Sequence, residues 1–341
     1  MARFICLLAL VIACLGANLR GKKCRMISLE GGGTKGAFQA GAFKAMVELI
    51  EAKELHYDVV AGASVGSLNG LVFAAAEIGQ EQEVSNRLLQ LWRTIKAEDA
   101  IAPWTFSDLI KGFFSKGNFF SNAPLFNYIT KTFQGWGGKF FRKYTLTTVN
   151  VNTAETIRAT EAVGEANISK YILASAAVPG VFPNSEINGT FYMDGGAVDN
   201  TNIRGGIERC REIVGDDDAS IIIDVIMTNP MTSKTWMDMG SAKSYTLYMR
   251  GDEIGSEYKS YYYLKDAIDA YPDVNWRYLI KPEESLPNYP FIALSFDRKT
   301  LEKTEQIGYN TAKKQLDRSK ASFNELFGEG KMMQKERIKL P

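Results

Sequence analysis

Histidine is almost absent from this sequence, since His56 is the single example among 341 residues. A hydrolase triad of the usual α/β type needs a histidine that follows its serine and its acid, and none follows here. Cysteine is also scarce: Cys6 and Cys14 lie in an apolar N-terminal segment, which leaves Cys24 and Cys210. These numbers exclude a disulfide-stapled fold and zinc-type ligand spacing. A Cys24–Cys210 bridge and two separate buried thiols both stay open.

Neither sign of charge dominates, because 40 Lys and Arg residues balance 39 Asp and Glu residues, for a formal net charge of +1. The basic excess that attracts nucleic acid is therefore missing, and a partner must be recognised locally. No repeat or low-complexity linker follows residue 24, and 45% of the residues are hydrophobic. These values exclude disordered and fibrous classes and indicate a globular protein with a large core.

The N-terminus carries an apolar run at residues 4–15, which Arg3 precedes and small residues follow. This pattern is typical of a secretory signal peptide, and we interpret residues 1–17 as one. The run is too short for a membrane-spanning helix, which needs roughly 20 apolar residues. A lipobox-like sequence ending at Cys14 indicates a bacterial lipoprotein as the alternative. The expected location is therefore secreted, or within the secretory or endolysosomal pathway.

Short β-like runs alternate with longer helical ones, which predicts one α/β domain over residues 25–320 with a tail at 321–341. Residues 26–30 and 57–61 predict two strands around a helix at 36–51, a βαβ unit with parallel pairing. Further strands are predicted at 145–152, 191–193, 220–227 and 276–280, and further helices at 65–78, 169–177, 203–213, 241–264 and 299–316.

An aromatic-rich stretch lies at residues 103–141, which contain 12 of the chain's 39 aromatic residues. We interpret it as a helical cap inserted into the domain. In one interpretation its aromatic side chains form an apolar, partly mobile surface that admits acyl chains or touches a lipid interface. In the other they pack inward, as in an ordinary helical insertion.

Two glycine-rich sequences follow the two strands of the βαβ unit, so we expect them side by side at the carboxyl edge of the sheet. The second reads Gly62-Ala63-Ser64-Val65-Gly66 and fits a nucleophile elbow, a sharp strand-to-helix turn that exposes a serine. Gly62 and Gly66 are required there because the neighbouring backbone leaves no room for side chains. The pattern therefore makes Ser64 a candidate nucleophile.

The first junction reads Gly31-Gly32-Gly33-Thr34-Lys35-Gly36. Consecutive glycines let backbone N–H groups point into one concave site, and the following helix adds its positive N-terminal end, so an anion is stabilised there. The oxyanion formed by attack on a carbonyl is one such anion. Gly31, Gly33 and Gly36 also match a dinucleotide-binding fingerprint, but the second strand ends in no acidic residue that would hold a ribose. A P-loop is excluded because its motif is missing.

Asp194 is the best candidate for the base that Ser64 would need. His56 enters its strand at the wrong end, roughly 17–23 Å from the elbow. The run at 191–193 ends at Asp194-Gly195-Gly196, where a carboxylate could accept the serine proton. Its ordinary pKa of about 3.9 makes it a weak base, so short geometry must compensate. The alternative for an isolated Asp-Gly-Gly is simply a turn.

Together these motifs resemble those of the patatin-like phospholipase family, at residues 31–36, 62–66 and 194–196 and in the family's order. The segment 174–183 is similar to the family's segment before the Asp-Gly-Gly turn, and Ile307-Gly308-Tyr309 resembles its closing helix. One departure is visible after the Asp-Gly-Gly turn, where the family's Asn-x-Pro-like sequence lacks its proline.

The resemblance implies a three-layer α/β/α fold with a mainly parallel sheet. It also implies a catalytic dyad of Ser64 and Asp194, an oxyanion loop at residues 31–36, and metal-independent hydrolysis of lipid acyl esters of the phospholipase A or lysophospholipase type, with glycerophospholipids as substrates. No cofactor and no metal is expected. The expected partner is a lipid at a membrane or micelle surface, with peripheral membrane contact and no nucleic acid. The alternatives are a non-catalytic lipid-binding or storage protein, and a nucleotide-binding oxidoreductase that uses residues 31–36.

Overall fold

The computed structural model describes residues 21–101, 123–179, 181–230, 244–287, 294–317 and 323. These residues contain eight strands: β1 (Cys24–Leu29), β2 (Val59–Ala63), β3 (Lys143–Asn150), β4 (Thr156–Thr160), β5 (Ser185–Ile187), β6 (Thr190–Asp194), β7 (Ile221–Ile226) and β8 (Asn275–Ile280). They also contain nine α-helices: α1 (Gly36–Leu49), α2 (Val65–Ala74), α3 (Glu81–Thr94), α4 (Ala97–Ala100), α5 (Ala123–Gly135), α6 (Glu165–Ser175), α7 (Ile203–Val214), α8 (Ser244–Ala270) and α9 (Arg298–Asp317).

The eight strands form one sheet in the order β5-β6-β3-β2-β1-β7-β8, with β4 paired to β3. The five strands from β3 to β8 along this order are parallel, whereas β4, β5 and β6 pair antiparallel. All residues of β2 and β7 are buried. In β7 the apolar run at residues 221–223, which has no polar alternation, is typical of a strand covered on both faces. The βαβ unit and the mainly parallel sheet expected from the sequence are confirmed.

One edge of β3 is shared by two strands that approach each other from opposite directions. β2 runs parallel to β3 and ends with Ala63 opposite Thr147. β6 runs antiparallel and ends with Asp194 opposite the next residue, Thr148, while β4 occupies the other edge of β3. This register brings the end of β6 to the turn that follows β2, at the carboxyl edge of the parallel strands.

Helices cover both faces of the sheet and give three layers. On one face α1, α2, α3, α5, α6 and α9 pack around a core that includes Phe38, Phe43 and Phe73. On the other face α7 and α8 pack on β1 and β7 through Ile207, Leu264 and neighbouring apolar residues. The three-layer α/β/α architecture implied by the family resemblance is therefore confirmed.

Several elements of the structure differ from the sequence predictions. Strands β4 and β5 and helices α3 and α4 were not predicted, α5 lies within the stretch interpreted as a helical cap, and β2 ends two residues later than expected. Of the two alternatives for the cysteines, the structure shows the disulfide: Cys24 is bonded to Cys210, and their Cα atoms are 5.6 Å apart. The two residues connect the start of β1 to α7.

The aromatic stretch at 103–141 is described only from residue 123 onward. There α5 turns Phe133 into the core, and the Phe133 and Phe140 rings lie 5.0 Å apart. This part follows the inward-packing interpretation, although Phe141 is exposed. Residues 103–122 lie outside the described residues, as do the signal-like segment 1–17 and the tail at 321–341 apart from Phe323. Within the described ranges no helix is long and apolar enough to cross a membrane.

Candidate active site

Ser64 lies in the sharp turn between β2 and α2. Its backbone has φ 50° and ψ −125°, a conformation that non-glycine residues rarely adopt and that the surroundings must hold. A Cβ on Gly62 would lie 2.4 Å from the Gly66 carbonyl oxygen, and a Cβ on Gly66 would lie 1.9 Å from the Leu29 carbonyl oxygen. Side chains are therefore excluded at both positions, which is the geometry of a nucleophile elbow.

Two other serines fix the backbone of this turn. The Ser64 N–H donates to Ser175 Oγ at 2.9 Å, and that hydroxyl in turn donates to the Thr147 carbonyl oxygen at 2.7 Å. Ser67 Oγ donates to the Ser64 carbonyl oxygen at 2.6 Å. Because both polar backbone groups of Ser64 are bonded, the strained conformation is stabilised from two sides.

Asp194 ends β6 beside this turn, and its carboxyl lies near enough to the Ser64 side chain for that side chain to lower its pKa. Its Oδ1 also accepts the Gly196 N–H at 2.7 Å. The residue is only 5% exposed. Burial raises the pKa of its carboxyl to about 6, although the Ser64 side chain and the Gly196 N–H act in the opposite direction. A carboxylate with this pKa is a stronger base than an exposed aspartate and is still ionised at neutral pH.

The glycines after Asp194 allow this close arrangement. A Cβ on Gly195 would lie 2.2 Å from the Thr147 carbonyl oxygen, and a Cβ on Gly196 would lie 2.5 Å from Asn200 Oδ1. The chain can therefore turn directly beneath the end of β6 without pushing the carboxylate away from Ser64.

The glycine-rich loop at residues 31–36 packs against the candidate nucleophile. A Cβ on Gly31 would lie 2.8 Å from Ser64 Cβ. The Gly31 N–H donates to the Asn200 carbonyl oxygen at 3.0 Å, and the Lys35 and Gly36 N–H groups are bonded within the loop. Within the described part of the chain, the N–H groups of Gly32 and Gly33 have no protein acceptor. They are therefore open to an anion.

The other two loop residues contact the segments around them. Thr34 Oγ1 accepts the Ser295 N–H at 3.1 Å, and Lys35 Nζ donates to Asn229 Oδ1 at 3.1 Å. Both side chains therefore tie the loop to later parts of the chain.

A chain of buried amides joins both ends of the glycine loop to α2. Gln39 Nε2 donates to the Glu30 carbonyl oxygen at 2.7 Å. Asn69 Nδ2 donates to Gln39 Oε1 at 2.8 Å and to the Gly36 carbonyl oxygen at 3.1 Å, and the Trp92 indole N–H donates to Asn69 Oδ1 at 3.0 Å. Since α2 begins at the elbow, the loop and the elbow are held in one rigid unit.

The proline-free turn after Asp194 also closes on the glycine loop. Besides accepting the Gly31 N–H, Asn200 donates from Nδ2 to the Gly31 carbonyl oxygen at 3.2 Å. Asp199 Oδ1 accepts the Asn202 N–H at 2.8 Å and so shapes the turn from within. The departure from the Asn-x-Pro pattern therefore leaves the turn seated on the loop.

His56 takes no part in this arrangement. Its Nε2 lies 2.9 Å from Arg25 Nη1, before the amino end of β2, whereas Ser64 follows the carboxyl end. No group of three or more His, Cys, Asp or Glu side chains suited to a metal ion occurs within the described ranges.

A family model described as patatin-like phospholipase matches residues 27–207, a span that contains the glycine loop, the elbow and Asp194. The match extends over more than half of the chain. The protein belongs to the patatin-like phospholipase family. The dinucleotide-binding interpretation of residues 31–36 is therefore without support.

The curated relatives of this patatin-like protein are fungal lysophospholipases. It is 27% identical over 195 residues to Lysophospholipase NTE1 of Phaeosphaeria nodorum, which covers 55% of this chain and 11% of the relative. It is 27% identical over 218 residues to the Kluyveromyces lactis protein of that name, covering 61% and 13%, and 28% identical over 178 residues to the Saccharomyces cerevisiae one, covering 50% and 9%. The matched region thus spans about a tenth of each relative.

A solved structure, VipD from Legionella pneumophila, aligns with a TM-score of 0.40 and 13% sequence identity. The alignment covers 87% of this chain and 67% of that one.

These relatives correct the expected location. Residues 1–17 led to the prediction of a secreted protein, with a Cys14 lipoprotein as the alternative. The matching proteins are NTE1 lysophospholipases, in which the shared region is a small part of a much longer chain and not the mature part of a short secreted precursor. The signal-like segment itself lies outside the described residues. The prediction of secretion is therefore wrong.

No sequence motif assigned a role to four residues of the patatin-like site: Glu30, Ser175, Asn200 and Thr228. Ser175 lies in the segment that resembles the family, but nothing in its spacing indicated that it would bond the elbow. Glu30 directly precedes the first glycine of the loop. A charged residue at the end of a buried strand is unusual, and this could have indicated that Glu30 has a role in the site. Thr228 follows β7, which ends at the same sheet edge as β1. Thr228 could be placed beside the glycine loop only once the order of the strands was known.

Proposed function

We propose that this patatin-like protein hydrolyses acyl ester bonds of lipids, with Ser64 as nucleophile and Asp194 as general base. The observation that carries the proposal is the buried Asp194 carboxyl beside Ser64, whose strained elbow packs against the glycine loop. Each group needed for acyl transfer to a serine is present within this cluster.

In the first step Asp194 accepts the hydroxyl proton while Ser64 Oγ attacks the ester carbonyl carbon. The tetrahedral intermediate collapses, and the alcohol part of the lipid leaves with the proton that Asp194 had accepted. Ser64 is then acylated. The raised pKa of Asp194 suits this role, because a base with a pKa near the working pH accepts a proton more readily than an ordinary aspartate.

The negative charge on the carbonyl oxygen is stabilised by the loop at residues 31–36. Within the loop, the Gly32 and Gly33 N–H groups are the donors for which the described residues offer no acceptor. The N–H of Val65, directly after the nucleophile, adds a third donor at the start of α2, where the helix end is also positive. Preorganised donors of this kind are worth about 10²–10³ in kcat each.

In the second step a water molecule gives a proton to Asp194 and attacks the acyl carbon, which releases a fatty acid and returns the proton to Ser64. Since the base and the oxyanion donors come from the chain itself, we propose a reaction without a metal ion or cofactor. Glycerophospholipids are the proposed substrates, with single-chain lysophospholipids first, because the curated relatives are named lysophospholipases. Peripheral contact with a membrane or micelle surface would accompany the reaction.

A fluorophosphonate probe tests the nucleophile and separates this proposal from a non-catalytic lipid-binding role. We expect labelling that maps to Ser64, is lost in Ser64→Ala and is strongly slowed in Asp194→Asn. The matched control is Ser85→Ala, a buried serine in α3 whose hydroxyl has no partner in the described chain, and it should be labelled like the wild type. A folded wild-type protein that takes up no probe would favour lipid binding without catalysis.

A further inference from the structure

We infer that Thr228 is a positioning residue for the hydrolysis proposed above, and that it sets the direction of the Gly32 N–H by anchoring the carbonyl of the same peptide unit. The inference rests on the proposed function of the glycine loop. Thr228 lies outside the matched family region at 27–207. It follows β7, which pairs parallel with β1 and therefore ends beside the loop.

The geometry of one peptide unit connects Thr228 to the oxyanion donor. Thr228 Oγ1 lies 2.6 Å from the Gly31 carbonyl oxygen and 3.2 Å from Glu30 Oε2. The hydroxyl has a single proton, and the much shorter contact, to an oxygen that can only accept, is the one that receives it. The described chain has no cis peptide bond, so the Gly31 carbonyl and the Gly32 N–H point in opposite directions from one rigid plane. A carbonyl held on the Thr228 side therefore directs the Gly32 N–H to the other side. The bond also polarises the peptide and makes its N–H a better donor.

Packing restricts this peptide further. A Cβ on Gly32 would lie 2.4 Å from Thr228 Oγ1 and 2.9 Å from Thr228 Cβ, so the threonine side chain lies directly on Gly32. On the remaining flank Asn200 Nδ2 gives the Gly31 carbonyl a second, longer bond of 3.2 Å. The peptide is fixed by one short bond, one long bond and a direct contact.

Thr228 is itself fixed by the side chain of Glu30, which is fully buried. Glu30 Oε2 accepts the N–H groups of Thr228 at 2.6 Å and of Asn229 at 3.0 Å. Its Oε1 accepts Asn229 Nδ2 at 3.2 Å and the hydroxyl of Ser260 in α8. These donors offset the cost of burying the carboxylate. Glu30 holds the segment after β7 against the residue that begins the glycine loop.

The test replaces Thr228 with valine, which keeps the shape and removes the hydroxyl. The Gly31 carbonyl then keeps only the longer Asn200 bond, and the Gly32 N–H loses its direction. Because an oxyanion donor acts in the transition state, we expect Thr228→Val to lower kcat by about 10- to 100-fold on p-nitrophenyl butyrate with KM changed less than about twofold. Thr228→Ser, which restores the hydroxyl, should recover most of kcat.

The matched control is Thr304→Val in α9, where a buried threonine hydroxyl donates to the Thr300 carbonyl oxygen at 2.8 Å. This variant loses a bond of the same kind away from the site, so its kcat should equal that of the wild type. A Thr228→Val protein that loses thermal stability like the control and keeps its kcat would overturn the inference.

A second readout does not require turnover. In ¹H–¹⁵N spectra of the whole protein, the Gly32 amide signal should move in Thr228→Val and return in Thr228→Ser, because its nitrogen senses the bond to the Gly31 carbonyl. An unmoved Gly32 signal would contradict the inference even if the ester is cleaved. A moved signal in a protein that cleaves no ester, wild type included, would support the positioning and count against the proposed function.

Discussion

Asp194 is a carboxylate removed from water, and the groups that lower its pKa are the Gly196 N–H, which donates to it, and the nearby Ser64 side chain. Desolvation therefore outweighs hydrogen bonding, and its pKa rises to about 6. The same imbalance affects both catalysis and stability, and both effects can be measured.

The rate should depend on the ionisation of Asp194. Since the base must be ionised, kcat/KM should fall as the pH drops through about 6, by roughly tenfold for each further pH unit. A water-soluble ester in buffers from pH 4 to pH 9 provides the profile. An acidic limb near pH 4, where an exposed aspartate titrates, would show that Asp194 is not the group whose ionisation limits the reaction.

Ionisation of Asp194, which the reaction requires, should lower the free energy of unfolding. The folded pKa lies above the unfolded one, so the buried anion destabilises the protein at high pH, and the penalty disappears as pH falls below about 4. Asp194→Asn keeps the shape without the charge. It should raise the free energy of unfolding at pH 8 by about 1–3 kcal/mol, with little effect at pH 4. Urea unfolding at both pH values measures this, and equal effects at the two values would rule the explanation out.

Ser175 should matter to both the fold and the rate. Ser175→Ala leaves the buried Ser64 N–H and the Thr147 carbonyl without their partner, which should cost about 1–3 kcal/mol of stability and lower kcat through a looser elbow. Urea unfolding and kinetics together provide the measurement. Ser185→Ala is the control, because its buried hydroxyl has no partner in the described chain. Equal, small effects in both variants would contradict the role given to Ser175.

At the scale of the element, α1 and α9 approach so closely that glycine is required at their crossing. A Cβ on Gly308 would lie 2.1 Å from the Phe38 carbonyl oxygen, and one on Gly41 would lie 1.9 Å from the Glu305 carbonyl oxygen. Since α1 begins at the end of the glycine loop, this contact supports the loop from outside the site.

Gly308→Ala should lower the free energy of unfolding by about 1–3 kcal/mol, although alanine is the better helix former. Gly255→Ala in α8, where a Cβ would meet nothing within 4 Å, should instead raise it by about 0.5–1 kcal/mol. Chemical denaturation of the two variants gives the comparison. A lower free energy of unfolding for Gly255→Ala, with no change for Gly308→Ala, would contradict the packing explanation.

The sequence predicts elements well where hydrophobic pattern and turn residues agree. The unbroken run of isoleucines in β7 and the glycines around α1 located these elements to within a few residues. β5 has three residues, and β4 has five of which only Ile157 and Ala159 are apolar, so neither forms an apolar run long enough to predict a strand. They form because β3 and β6 offer free edges, and such a cause cannot be read from local sequence.

At the scale of the whole molecule, the sheet order decides which motifs meet. The sequence predicts that residues 31–36 and 62–66 lie side by side, since they end neighbouring strands of one βαβ unit. It names Asp194, but only the shared edge of β3 explains why β6 ends beside Ser64. Thr228 and Asn200 reach the loop from later segments, so their contacts with Gly31 depend on the complete topology.

Fatty-acid release from lysophosphatidylcholine micelles in excess EDTA, with the wild type compared to Ser64→Ala, tests whether the protein is a metal-independent serine hydrolase of lipids. We expect release by the wild type that EDTA leaves unchanged and that Ser64→Ala abolishes. Equal release by both proteins, or release that EDTA abolishes, would contradict this expectation.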